Sequence, residues 1–188
     1  MKRKNFISCF QKVLRLNKHF KFLLCIALPI FAVLLTGDLI SKHFIDAAIP
    51  LGEQTKFLPG FIDIITVHNE GAAWGMFAGN QIFLIIITFL FIAALVWFAL
   101  YERTTNPLFH IAVGFVLAGC IGNLIDRLAF GYVRDFLHFE FWSTFPVFNI
   151  ADICLCVGVV LFVIYFIILL VKNQKKKREK AVDEDIKN

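Results

Sequence analysis

Four stretches of this chain run almost without charge for about 20 residues, the length a helix needs to cross a bilayer. That spacing leaves few folds open. In water, a chain of 188 residues that is 59% hydrophobic and carries 23 phenylalanines would expose more apolar surface than it could bury. Lipid must cover the remainder. The expected fold is an all-α membrane protein, a four-transmembrane-helix bundle with helices over 22–42, 81–101, 106–127 and 150–171. The loops 43–80 and 128–149 join helices at one face. In the first of them, the β-branched segment FIDIITV followed by the turn signal HNEG predicts a small outward-facing β element. The apolar set Trp74, Met76 and Phe77 after it suits an interfacial loop.

Lysine and arginine set the orientation. Residues 1–21 carry seven of them and the segment 172–188 another seven, while the outward loops and adjoining helix ends hold only Lys42, Lys56, Arg127 and Arg134 against nine acids. The positive-inside rule makes 1–21 a basic cytoplasmic arm, 22–171 the membrane domain and 172–188 a basic cytoplasmic tail. A cleaved secretory signal is the alternative for the basic start. Its apolar run is too long, lacks a small-x-small cleavage site and leads straight to Asp38 and Lys42, so a retained helix is expected. The tail could touch anionic lipid heads, but a plain topology anchor is the preferred reading. Of the five cysteines, Cys25, Cys120, Cys154 and Cys156 fall inside expected helices and Cys9 in the arm, with no ligand spacing and no disulfide expected.

Carboxylates beside hydrocarbon are the chemical signal. An acid in a membrane span costs roughly 2.5 to 3.5 kcal/mol at the centre and less near an interface, so such residues usually serve a function. Asp126, Asp135 and Asp152 all lie at or near the outward ends of the last two spans. On the third helix Gly114, Ala118 and Gly122 recur every fourth residue, and the same step reaches Asp126, so close helix packing should aim that acid into the bundle. Gly119, Asn123 and Arg127 form the neighbouring stripe. Asp38 and Lys42 are four apart, the spacing of a helical ion pair, and read as a brace. Asn149 and Asp152 have the spacing of a capping box, which would satisfy backbone amides without chemistry. Asn69 before Glu-Gly could likewise only stabilise a turn, or could hold a substrate carbonyl.

Two neighbouring carboxylates share one proton because both cannot ionise cheaply, and such a pair can hydrolyse a peptide without metal or covalent intermediate. Asp152 could pair with Asp126 or Asp135; an Arg127 that holds Asp126 ionised makes Asp135 the better partner. The HxE strings His68-Asn69-Glu70 and His138-Phe139-Glu140 are the basis for a competing metal site, but no third ligand stands at a diagnostic spacing. Ser41, Ser143 and the cysteines lack a recognisable base. An ion-coupled transporter would need polar groups through the bilayer, whereas these acids gather toward one face. A structural subunit docking through its small-residue stripes is the third option.

Asp38 with Lys42, HNEGAAWGMF, AGCIGNLIDRLAFGYVRDF and FPVFNIAD, in that order at these helix ends, resemble signal peptidase II, the lipoprotein signal peptidase family of bacteria, over roughly residues 20–170. The resemblance implies an aspartic endopeptidase that removes the signal peptide from diacylglyceryl-modified prolipoproteins, cutting on the amino side of the lipidated cysteine. By motif its catalytic residues are Asp135 and Asp152, and Asn69, Asn123, Arg127, Val133 and Asn149 match substrate-binding positions. Asp38, Lys42, Gly71, Ala72, Gly119 and Asp126 match supporting ones. It further implies a bacterial inner-membrane protein with both termini cytoplasmic and its active site at the outer face, blocked by globomycin. Its expected partners are prolipoproteins and membrane lipids, with no cofactor, metal or nucleic acid, and a monomer is expected. Trp74 departs from the family pattern, which often has Phe there, and the long basic arms lie outside the analogy.

Overall fold

The computed structural model describes residues 18–187, so Cys9 and most of the basic arm lie outside the described residues. Four apolar helices dominate: α1 (Lys18–Ala48), α2 (Gln81–Glu102), α3 (Pro107–Phe130) and α4 (Ile150–Lys187). Each is long and apolar enough to cross a membrane. A three-stranded antiparallel sheet completes the fold, in the order β1 (Gln54–Leu58), β2 (Ile62–Asn69), β3 (Val133–Phe139). The molecule is mostly helical with a small sheet.

Helix α3 is the hub. Most of its apolar stretch is buried, whereas the other three are mostly exposed, because α1, α2 and α4 all pack on it. The small-residue stripe makes this possible. A Cβ on Gly114 would stand 2.8 Å from the Ala27 carbonyl of α1, one on Gly122 would stand 2.5 Å from the Asp38 carboxylate, and one on Gly119 would collide with the Ala151 carbonyl of α4. Pro107 and Asn106 start α3, the Asn106 side chain accepting the Leu108 N–H at 3.0 Å, and Gly131 ends it at φ 80° with its N–H on the Arg127 carbonyl.

Two helix ends depart most from the sequence expectation. Helix α1 continues past residue 42 to Ala48 and stops at the extended residue Ile49, because Pro50 disfavours a helical predecessor. Helix α4 runs past residue 171 to Lys187, since lysine, glutamate and glutamine are good helix formers and do not break the apolar turns before them. The β element also exceeds the FIDIITV segment. His68 and Asn69 belong to β2 rather than to the turn, and the second inter-helix loop supplies β3, which starts two residues after Gly131. Along it Val67 faces Asp135 and Asn69 faces Val133.

Candidate active site

The polar residues of the sheet end are arranged in two tiers. The deeper tier is a row of alternating charge. Lys42 Nζ lies 2.9 Å from Asp38 and 3.4 Å from Asp126, and Asp126 in turn receives Arg134 Nη2 at 2.7 Å and the Arg134 backbone N–H at 3.0 Å. Lys42 and Asp126 are fully buried. Such charges are tolerable because each meets an opposite one and the row is neutral in sum. Asp38 also accepts the Ala151 N–H at 2.9 Å, which caps the first turn of α4 with a carboxylate from α1. The expected Asp38–Lys42 brace is present. Arg127, by contrast, is not the partner of Asp126. Consecutive residues on a helix point about 100° apart, and Arg127 turns away to donate to the Gly71 carbonyl at 2.9 Å while Arg134 on β3 takes Asp126.

The upper tier carries the two acids expected to pair. Asp135, on β3, accepts Asn69 Nδ2 at 2.9 Å and Asn149 Nδ2 at 2.6 Å. Asp152, in the first turn of α4, accepts Asn123 Nδ2 at 2.7 Å and the Asn149 backbone N–H at 3.0 Å. The capping box forms as well, with the Asp152 N–H on Asn149 Oδ1 at 3.0 Å. Capping and display of the acid are therefore one geometry: the cap fixes the carboxylate that the cavity receives. Asn149 also donates to Asn123 Oδ1 at 3.0 Å, so two amides tie the acids together. Asn69 has two functions, its Oδ1 accepting the Gly71 N–H at 2.9 Å in a turn while its amide nitrogen holds Asp135.

Asp135 and Asp152 line one cavity of ≈ 450 Å³, together with Asn69, Ala72, Asn123, Arg127 and Val133. Leu155, Cys156, Phe145 and Phe148 make the rest of its wall largely apolar. Burial first, and the facing Asp152 charge second, push the Asp135 carboxyl up to about 7, against the opposing pull of Asn69, Asn149 and Lys42. The cavity thus holds an acid that keeps its proton near neutrality beside a second carboxylate held only by donors.

Asn149 and Asp38 are buried and line no part of the cavity wall; they act through Asp135, Asp152 and the α4 terminus. Gly71 supports the rim. A Cβ there would stand 2.7 Å from the Gly75 backbone, and its carbonyl anchors Arg127. Arg134 is the one charged member of the site that sequence reasoning left without a role. Its burial and its stacking over Phe130 at 4.6 Å depend on a helix-to-strand turn that has no periodic signal. One residue of each HxE string is engaged elsewhere: His68 stacks on Tyr132 and meets Asp46 at 3.3 Å, and Glu140 takes Lys56 at 3.0 Å. Among the described residues no group of three His, Cys, Asp or Glu side chains is placed to hold a metal ion.

The sequence model described as Signal peptidase (SPase) II matches residues 30–168. Lipoprotein signal peptidases of Staphylococcus aureus strains JH9 and Newman are each 35% identical over 165 residues, 87% of this chain and 99% of theirs. A bacterial membrane enzyme solved by the in meso method at 2.3 Å superposes with a TM-score of 0.72 at 34% identity, over 80% of this chain and 90% of its own. A second such structure, at 1.9 Å, gives 0.69 at 34% identity, over 74% and 91%.

Proposed function

Because the chain belongs to the signal peptidase II family, a multi-pass membrane protease that removes the signal peptide from prolipoproteins, we propose that it works as an aspartic endopeptidase with Asp135 and Asp152 as its catalytic pair. The observation that carries this reading is their common cavity, in which a carboxyl pushed up to about 7 faces a carboxylate that accepts only N–H donors. Asp152 takes a proton from a water molecule, and the hydroxide adds to the scissile carbonyl carbon while Asp135 gives its proton to the carbonyl oxygen. On collapse the carbonyl oxygen returns that proton to Asp135. Asp152 passes its own to the departing amine as the C–N bond breaks. One water is consumed and the shared proton remains.

The substrate side follows from the same wall. Asn69, Asn123 and Arg127 offer donors at the rim and Val133, Leu155 and Phe148 an apolar lining, which suits a lipid-modified peptide cut on the amino side of its diacylglyceryl-cysteine. Lys18, Lys21, Arg103 and the lysines from Lys172 onward gather at the end of the bundle away from the sheet. The positive-inside rule puts that end in the cytoplasm with both termini, and the sheet and acids at the outer face of the bacterial inner membrane. The molecule acts as a monomer surrounded by lipid.

The test is cleavage of a diacylglyceryl-modified precursor by the purified protein, with and without globomycin. Globomycin-sensitive cleavage is expected. Asp135→Asn and Asp152→Asn should each lower kcat by at least about 10³-fold while the protein still accumulates in the membrane. Wild-type cleavage by either variant would remove the acid pair, and loss of activity on adding EDTA would redirect the mechanism to a metal.

A further inference from the structure

The neutral row beneath the acids contains one side chain that also reaches the tier above it. Lys42 Nζ has three donors and three acceptors around it: Asp38 at 2.9 Å, Asp126 at 3.4 Å and Asn123 Oδ1 at 3.0 Å. We propose that Lys42 is a positioning residue for peptide cleavage, its ammonium fixing the Asn123 amide so that Nδ2, and not Oδ1, faces Asp152. This rests on the acid-pair reading above.

The argument is one of hydrogen-bond valence. An amide presents an acceptor on one side and two donors on the other, and either side fits the same space. Asn123 Oδ1 receives Lys42 and Asn149 Nδ2, both of which can only donate, so the carbonyl is bound to that side and the NH₂ group must face Asp152. Were the amide to flip, its oxygen would face the carboxylate. That orientation is compatible only with a protonated Asp152, and the acceptor of the water proton would be lost. Asn149 Nδ2 gives one of its two hydrogens to Asp135 at 2.6 Å and the other to Asn123 Oδ1, so Lys42 supplies the second donor to that oxygen and the only charged one. Lys42 itself cannot turn away, being fully buried and bonded on all sides.

The charged groups facing the pair are Lys42 from α1 and Arg127 from α3, with Asp38, Asp126 and Arg134 behind Lys42 and His68 and Glu70 at the end of β2. Removing Lys42 alone would leave a buried net negative charge, so the informative variant is Lys42→Met combined with Asp38→Asn. It keeps the row neutral and leaves an oxygen for the Ala151 N–H. The companion is Asn123→Leu, which deletes the amide and keeps every charge. Both are assayed on a diacylglyceryl-modified precursor for kcat, KM and the kcat–pH profile. Asp152→Asn is run in parallel, so that a failure of the acid-pair reading shows itself separately.

A lost orientation should lower kcat roughly tenfold with KM changed less than about threefold, and should move the acid limb of the profile upward by about one pH unit in both variants. A packing role for Lys42 would lower the melting temperature and leave that limb in place. The proposal falls if the folded double variant keeps the wild-type kcat and acid limb. Should the double variant not fold, Asn123→Leu decides: an unmoved limb, or a change confined to KM, overturns the proposal.

Discussion

Helices α3 and α4 meet along their whole shared length, but the two ends of that contact are made of different materials. Away from the sheet, Phe109 is fully buried and its ring meets Phe98 at 5.6 Å, Phe162 at 5.6 Å and Tyr165 at 5.2 Å, with Val113 and Ala27 filling between. At the sheet end, Gly119 and Gly122 bring the backbones together and the space is given to amides and charges. The aromatic end stabilises the pair by dispersion and shape alone. The polar end offsets desolvation with ion pairs and amide hydrogen bonds and gains little net stability from them. Polarity that contributes so little to holding helices together is accounted for by chemistry.

That contrast can be broken by exchanging the expected outcomes of substitutions at its two ends. Asp135→Asn and Asp152→Asn should have the largest effect, with activity lost and the melting temperature no lower than wild type, since the repulsion that helps to raise the Asp135 carboxyl is removed. If thermal scans show either variant markedly destabilised, the polar end carries structure as well. Phe109→Ala should do the reverse, costing roughly 2–3 kcal/mol of stability, the low side of the cavity scale because lipid competes for the exposed surface. Its turnover per folded molecule should match wild type.

Acidity sharpens the comparison further. The Asp135 carboxyl, raised to about 7, holds its proton below that pH, so cleavage should fall roughly tenfold for each pH unit above it. The stability sign is consistent with this. The folded chain keeps a proton that the unfolded chain releases above 3.8, so this group favours folding most at acid pH, and that contribution declines from 3.8 through about 7. A rate that is flat to pH 9 would place the shared proton elsewhere. The smallest effect is expected at the rim, where Arg127→Ala frees the Gly71 carbonyl and should raise KM by about three- to tenfold, with a lesser change in kcat.

The sequence made parts of this arrangement readable and hid others for definite reasons. Apolar length sufficed for the helices, a spacing of four for Asp38 and Lys42, and a spacing of three for the Asn149 cap. Asp135 and Asp152 share a cavity between a strand and a helix start, for which no periodicity exists; residue chemistry left Asp126 open as the alternative partner, and the family resemblance singled out Asp135. Strand β3 escaped detection because Val133, Arg134, Asp135 and Phe136 are all buried, so the alternation that marks a half-exposed strand is missing. Pairing Asp126 with Arg127 took sequence adjacency for spatial adjacency. A strand residue eight positions away was nearer.

The short passage from α3 into β3 sets a limit on how this chain can change length. Gly131 ends the helix and only Tyr132 separates it from the strand that carries Asp135. Successive strand side chains point to opposite faces, so inserting or deleting a single residue between Gly131 and Asp135 would turn the carboxyl out of the cavity and bring a neighbouring side chain in. The linker between α2 and α3 bears on neither acid and has no such limit.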